Sequence, residues 1–384
     1  MDTMNKDLGP STCDATSCDI DRRTLLRIGA ATASLGLGIQ APAAATAPSN
    51  TPMRIDAYTH FSSMKFLEFT DQHRAGNPLA VSVYSYLPTL FDETQRRNLL
   101  DRNEVDIHVL VPVPWLEAFP VIANDRNLAA EAARLMNDEL GAFISKQPKR
   151  YRGVAILPTG DPEFMVAELH RAVRELGFIG AYVAVGPTVK RMDHPDFEAL
   201  YQALVDLDVT LWLHPSRPPV PEYIDEKGSH YLEAQITGWL SDTTSAMYRI
   251  VFAGVFDRYP DIRIITHHAG GMLPTSAKRA DAMWALYDSV GQPLPTKVSK
   301  PYIAHFKKFY CDTAAFGYAP KVIDLALDFF GPERVLFGTD TPFDATGGQF
   351  FTQETLRSIG DIQTTPQTRN ALLNGNAKRI FKLT

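Results

Sequence analysis

One pattern constrains the fold of this chain more than any other. From Met53 onward, short β-rich apolar runs alternate with amphipathic helical stretches. The runs are Arg54–Thr59, Ile107–Val113, Gly153–Leu157, Gly180–Val185, Thr210–Leu213, Arg263–Thr266, Lys308–Cys311 and Val335–Gly338. Between them, Asp125–Ser145 places apolar residues at Leu128, Ala132, Leu135, Met136, Leu140 and Phe143, a helical spacing. Glu163–Leu176, Phe197–Leu207, Thr243–Arg258 and Ala319–Phe330 read the same way. Eight strands with helices between them predict an α/β fold, a parallel sheet closed into a (β/α)8 TIM barrel. Two stretches distort the pattern. Ser62–Phe91 follows the first strand, and Pro215–Leu240, with Pro218, Pro219 and Pro221, follows the fifth. Both are expected as long loops on the face where such barrels carry specificity.

The 384 residues suffice for one large core. A formal net charge of −6 argues against a basic nucleic-acid surface, so no nucleic-acid partner is expected. No apolar run after the N-terminus is long enough to span a bilayer, so no stable membrane association is expected either. The N-terminus reads differently. Arg22-Arg23 precedes an apolar, Ala- and Gly-rich stretch through Ala41, and then Ala-Pro-Ala-Ala-Ala-Thr-Ala. An arginine pair, an apolar segment and small residues at a cleavage site describe a twin-arginine export signal. Asp21 stands before the pair, where Ser or Thr is more usual. The expected organisation is an export signal with its cleavage region in residues 1–47 and a single barrel domain in residues 48–384. The twin-arginine export machinery is then a partner, and the location periplasmic or secreted. Cys13 and Cys18 fall within the signal, so the mature chain keeps only Cys311 and no internal disulfide.

The strand ends carry the chemistry. The first run ends Asp56-Ala57-Tyr58-Thr59-His60, and the fifth ends Leu213-His214-Pro215. The sixth ends Thr266-His267-His268-Ala269-Gly270-Gly271, the seventh Cys311-Asp312, and the eighth Gly338-Thr339-Asp340-Thr341-Pro342. In a closed barrel these ends converge on one mouth. Imidazoles and a carboxylate meeting there suit zinc or a neighbouring first-row metal. Tyr58 and His60 alternate along a strand and so share its inward face. His268 is expected to look away if His267 looks in, by the same alternation. A lone strand-end histidine is more often a hydrogen-bonded core residue than a ligand; the shared position of several is what points to a site. His108 reads as a core residue and His170 as a helix-surface one.

These segments resemble the second amidohydrolase-type family, which includes aminocarboxymuconate-semialdehyde decarboxylase and related aromatic-acid decarboxylases. The resemblance runs over most of Met53 to Leu383. Further segments carrying it are Leu157-Pro158, Leu176-Gly177-Phe178-Ile179-Gly180, Gly254-Val255-Phe256-Asp257-Arg258-Tyr259-Pro260 and Asn376-Ala377-Lys378-Arg379-Ile380-Phe381. The resemblance implies one divalent metal, zinc first, with manganese, iron or cobalt as alternatives. It implies His60, His214 and Asp340 as its ligands and His267 as acid/base catalyst, with Asp340 also counted among the catalytic groups. Arg96 or Arg97 is placed to hold a substrate carboxylate, and Trp239 is the aromatic candidate for the substrate face. Related enzymes are often dimers, so a homodimer is an expectation.

The departure is Tyr58, where the family carries a metal-binding His or Glu. A phenol, with its pKa near ~10, is a poor ligand at neutral pH. Three readings follow: a phenolate ligand; a hydrogen-bond donor to substrate beside a sphere completed by water; or a barrel without metal chemistry. The second is favoured, because three protein ligands plus water complete a catalytic zinc sphere. The leading expectation is a metal-dependent, decarboxylase-like lyase acting on a small aromatic or unsaturated carboxylic acid. The alternatives are a metal-dependent hydrolase of a small lactone or amide, and a non-catalytic periplasmic binding protein. The fourth run holds no lysine for a carboxylated bridge, which argues against a binuclear hydrolase.

Overall fold

The computed structural model describes residues 52–74, 80–216, 223, 225–227, 231–291 and 298–383. The expected export signal, its cysteines, and Pro218, Pro219 and Pro221 lie outside the described residues. Eight parallel strands appear in chain order: β1 (Ile55–Phe61), β2 (Ile107–Pro112), β3 (Tyr151–Gly153), β4 (Gly180–Val185), β5 (Thr210–Pro215), β6 (Arg263–Thr266), β7 (Tyr310–Asp312) and β8 (Val335–Leu336). They pair as two parallel arcs, β1-β2-β3 and β4-β5-β6-β7-β8. Single bonds join the arcs. Between β3 and β4, Ile179 N–H donates to Gly153 O at 3.0 Å and Tyr182 N–H to Ala155 O at 3.0 Å. Between β8 and β1, Ala57 N–H donates to Phe337 O at 2.8 Å and His60 N–H to Thr341 O at 2.7 Å. The fold is the expected (β/α)8 barrel.

The third strand differs from its expectation, Gly153–Leu157. Its regular pairing ends at Gly153, after which Val154 N–H turns to β2 (Leu110 O, 3.1 Å) and Ala155 N–H to β4 (Gly180 O, 2.9 Å). The residues after Gly153 thus straddle the seam between the arcs. The helix expected over Thr243–Arg258 is two, Trp239–Phe252 and Val255–Arg258, parted at Gly254, whose φ of 73° stops the first helix. The excursion after β1 contains helices at Met64–Gln72 and Ala80–Tyr84. The long helix Arg126–Ser145 begins where expected, because the Asp125 carboxylate accepts from Asn127 and Leu128 N–H.

Side chains fill the barrel. Trp212 crosses the interior from β5, its Nε1–H donating to Ala57 O of β1 at 3.3 Å, and Phe381 stacks on it. The β1–β8 seam has a polar rivet. The buried Asp56 carboxylate accepts from Tyr58 N–H (3.2 Å), Thr339 N–H (3.2 Å) and the Thr339 hydroxyl (2.6 Å). Just after it, β1 bulges against β2: Asp56 pairs with His108, but Thr59, three residues on, pairs with Leu110. The bulge sits at Ala57-Tyr58, beneath the mouth.

The rivet generates a prediction. Asp56→Ala leaves Tyr58 N–H and the Thr339 hydroxyl without an acceptor and is expected to lower stability by about 2–4 kcal/mol. Asp56→Asn, which keeps an acceptor oxygen, is expected to lose less. Urea unfolding of both variants checks this; equal, small losses would show that the seam does not depend on the carboxylate.

Candidate active site

β1 supplies Tyr58 and His60, β5 supplies His214, and the chain leaving β6 supplies His267 and His268. β7 ends on Asp312, and Asp340 follows β8. Asp340 is held in place by its own N–H, which donates to Tyr58 O at 2.9 Å. All of these side chains are buried. His60 Nε2 lies 2.7 Å from Asp340 Oδ1 and 3.1 Å from the Tyr58 hydroxyl. His268 Nε2 lies 3.4 Å from Asp340 Oδ2. The His60 and His214 rings stand 5.2 Å apart, and the Tyr58 ring lies flat on that of His267 at 3.4 Å.

Three imidazoles share one arrangement. His60 Nδ1 faces Val111 O at 3.2 Å, His214 Nδ1 faces Pro215 O at 2.7 Å, and His267 Nδ1 faces Asp312 Oδ2 at 2.6 Å. Val111 O and Pro215 O can only accept, so Nδ1 of His60 and of His214 carries a proton, and in the neutral ring Nε2 then presents its lone pair. His267 Nε2 is buried with no partner among the described residues. His60 Nε2 meets a carboxylate oxygen instead. Two acceptors at that distance call for a proton or a cation to mediate them.

Electrostatics sharpen this. Burial opposes ionisation of Asp340, yet hydrogen bonds and charge from His268 and His60 outweigh it and hold the carboxyl well below its usual range. Burial pushes His214 and His267 well down, toward neutral imidazoles, with neighbouring histidine charge adding to the effect. Burial, then the Asp340 and Asp312 carboxylates, push the Tyr58 phenol well up. Burial raises the Asp312 carboxyl to about 7, against the pull of His268 and of the Ala314 N–H.

These residues fit one divalent ion in donor chemistry: neutral imidazole nitrogens, an ionised carboxylate, and outer partners that set each tautomer. They are not gathered around it. Among the described residues, no three His, Cys, Asp or Glu side chains close on a common point. Metal–donor bonds of about 2.1 Å place two neighbouring donors roughly 3.0–3.4 Å apart. His60 and Asp340, at 2.7 Å, need to part by only a few tenths of an ångström.

The structure thus brings Tyr58, His60, His214, His267 and Asp340 together. It also brings in His268, which the alternation rule turned away. The rule fails because regular strand ends at Thr266, and His268 and Ala269 both take φ of 56°. The His268 ring is sandwiched between Trp239 (6.4 Å, interplanar 14°) and Phe316 (5.1 Å, 26°), so Trp239 stands at the site as expected. Trp115 packs on His214 at 5.2 Å and Phe343 on His60 at 5.1 Å, two aromatic walls that no strand-end pattern revealed.

Arg96 corrects its expected role. It is fully buried, and its guanidinium donates to His60 O and approaches Thr59 Oγ1 (3.4 Å) and His108 Nδ1 (3.3 Å). It props the end of β1, with its guanidinium fully withdrawn from water. Arg97 is half-buried on the same helix, Glu93–Arg102, one residue and about 100° further round.

A closed parallel barrel with imidazole and carboxylate donors on the ends of β1, β5, β6 and β8 defines a class, the amidohydrolase-type barrel enzyme. Comparison with known proteins agrees. The amidohydrolase family profile matches residues 117–383, and the chain belongs to that family. It is 32% identical over 305 residues to a gamma-resorcylate decarboxylase of Polaromonas sp., covering 77% of this chain and 89% of the relative. It is 31% identical over 276 residues to the gamma-resorcylate decarboxylase of Rhodococcus jostii, covering 67% and 82%. A solved structure of a dihydroxybenzoic acid decarboxylase from Polaromonas sp., with bound manganese and the inhibitor 2-nitroresorcinol, superposes with a TM-score of 0.69. It is 27% identical, with 87% of this chain and 98% of that one covered. These relatives set the chain among the carboxy-lyases of the family, not its hydrolases.

Close packing under the mouth is testable. A Cβ on Gly338 meets Asp312 Cβ at 2.7 Å and Tyr58 Cβ at 3.1 Å, so Gly338→Ala must push β1 and β7 apart. The expected outcome is a stability loss of about 1–3 kcal/mol together with impaired metal retention. Thermal unfolding and elemental analysis measure the two; unchanged metal content would show the donors indifferent to this contact.

Proposed function

We propose that this enzyme decarboxylates a small aromatic carboxylic acid at a single divalent metal held by His60, His214 and Asp340. The observation that carries the reading is the set of Nδ1-anchored imidazoles converging on an ionised carboxylate between aromatic walls. When bound, the ion supplies positive charge that holds the substrate carboxylate and a neighbouring oxygen. Two nitrogens and a carboxylate suit zinc, and the manganese in the Polaromonas relative makes manganese the other first choice.

The chain's own groups do the rest. Trp115 and Phe343 form flat walls that accept a ring and exclude water. Tyr58, kept protonated by burial and two carboxylates, acts as a hydrogen-bond donor among the metal donors, not as a phenolate ligand. A proton must reach the ring carbon bearing the carboxylate. The carbon–carbon bond then breaks, its electron pair returns to the ring, and carbon dioxide leaves.

Of the two sixth-strand histidines, geometry favours His268 as proton donor. His267 lies under the Tyr58 ring with its Nδ1 committed to Asp312, and serves best as a support for Tyr58. His268 lies between the mouth residues Trp239 and Phe316 and touches Asp340. Export by the twin-arginine route belongs to the same proposal, supported by Arg22-Arg23 and the apolar stretch after it. A periplasmic or secreted enzyme fits that route, which carries folded, cofactor-loaded proteins.

Two measurements test the proposal. Elemental analysis of the purified protein is expected to find about one zinc or manganese per chain, lost in His214→Ala. Carbon dioxide release should appear with hydroxylated aromatic acids and stop on chelation. Protein that stays metal-free after soaking in both ions and dialysis overturns the mechanism. For the proton donor, His268→Asn is expected to lower kcat by about 10²–10⁴-fold at near-normal metal content. A larger loss in His267→Asn than in His268→Asn would reverse the assignment.

A further inference from the structure

One buried polar atom beside the site has no part in this chemistry. The Tyr182 hydroxyl, on β4, is buried and makes no hydrogen bond to any of the described residues. In the β4–β5 register Tyr182 pairs with Trp212 and Ala184 with His214, so its side chain enters the barrel with those of Trp212 and His214. Its ring lies 6.1 Å from that of His214. Native interiors seldom leave such a hydroxyl unpaired unless a water or ligand completes it.

The surroundings are polar in a specific way. Glu117, in the loop after β2, accepts from the Thr159 hydroxyl, and Lys190, after β4, donates to Thr159 O at 3.1 Å. Glu117 and Tyr84 are the neighbours whose charge bears on the Tyr182 phenol. Burial also pushes the Glu117 carboxyl up. Trp115, two residues before Glu117, is the wall against His214. The β2–β4 side of the mouth therefore offers a spare hydroxyl, a carboxyl and an aromatic face. The metal donors occupy the β1, β5 and β8 side.

We propose that Tyr182 is the specificity-determining residue of this pocket and hydrogen-bonds a ring hydroxyl that the metal donors do not engage. The inference rests on the decarboxylase reading and assigns the recognition of a second ring hydroxyl to a residue of β4. A site built around a hydroxyl discriminates sharply against the analogue lacking it, because its own polar groups are then left unpaired.

The test compares 2-hydroxybenzoate with its 3-, 4-, 5- and 6-hydroxy derivatives on the full, metal-loaded chain. Binding is read by titration calorimetry and turnover by carbon dioxide release. At least one dihydroxy isomer is expected to bind about 10- to 100-fold more tightly than 2-hydroxybenzoate. Tyr182→Phe should collapse that ratio toward one. The inference is overturned if no isomer is preferred, or if the preference survives Tyr182→Phe. It is also overturned if Tyr182→Phe weakens all ligands equally, which marks a packing role. A Tyr182-dependent binding preference without any carbon dioxide release would sink the decarboxylase reading and leave this recognition role standing. Turnover without preference would do the reverse.

Discussion

The seam between the first and last strands is the constraint on which the rest of this molecule depends. β1 carries His60, and the turn after β8 carries Asp340, so the site exists only where these two chain segments meet. Few bonds join them: Ala57 to Phe337, His60 to Thr341, Thr339 and Asp340 to Tyr58, and Thr339 to the Asp56 carboxyl. Asp56 is fully buried, and burial lifts its carboxyl to about 8 even against its three donors. The molecule tolerates this polar group in its interior because it aligns two strands that carry chemistry. Arg96 does related work from the other side, gripping the His60 carbonyl with a guanidinium fully withdrawn from water. Burial lowers the pKa of that guanidinium to about 10, which still leaves it charged at neutral pH.

Much of this was legible in the sequence, for a physical reason. A parallel barrel sends every strand's C-terminal end to one face, so listing the residues at those ends finds His60, His214 and Asp340 without knowing any distance. Trp239 was legible as an aromatic residue on an insertion at that face. What the sequence hid depends on local backbone that departs from regular strand. His268 enters the site because it and Ala269 leave the extended region, and period-two alternation says nothing once the strand has ended. The short third strand hid for a similar reason, since its apolar run continues while its hydrogen bonds divide between two neighbours.

Arg96 was misread because its role depends on which way its helix faces. Helix Glu93–Arg102 mixes charged and apolar residues, and pattern alone did not show which side packs on β1 and β2. A basic residue at the expected distance along the chain looked like a substrate clamp. Tyr182 and Glu117 were invisible for another reason. A tyrosine in a strand and a glutamate in a loop are ordinary, and only the unpaired hydroxyl beside His214 distinguishes them.

The contact between His60 and Asp340 spans 280 positions of sequence. It is thus among the last that a chain emerging from the ribosome can make, and closing so long a loop carries a large entropic cost that local helices do not offset. A nascent or truncated chain holding β1 through β7 has His60 and His214 but lacks the carboxylate between them. On the proposed ligand set, the site is also a record of completion: its carboxylate arrives only once the whole barrel has been synthesised and shut. With the proposed twin-arginine route, that ties loading of the site to the same event that makes the chain fit for transport.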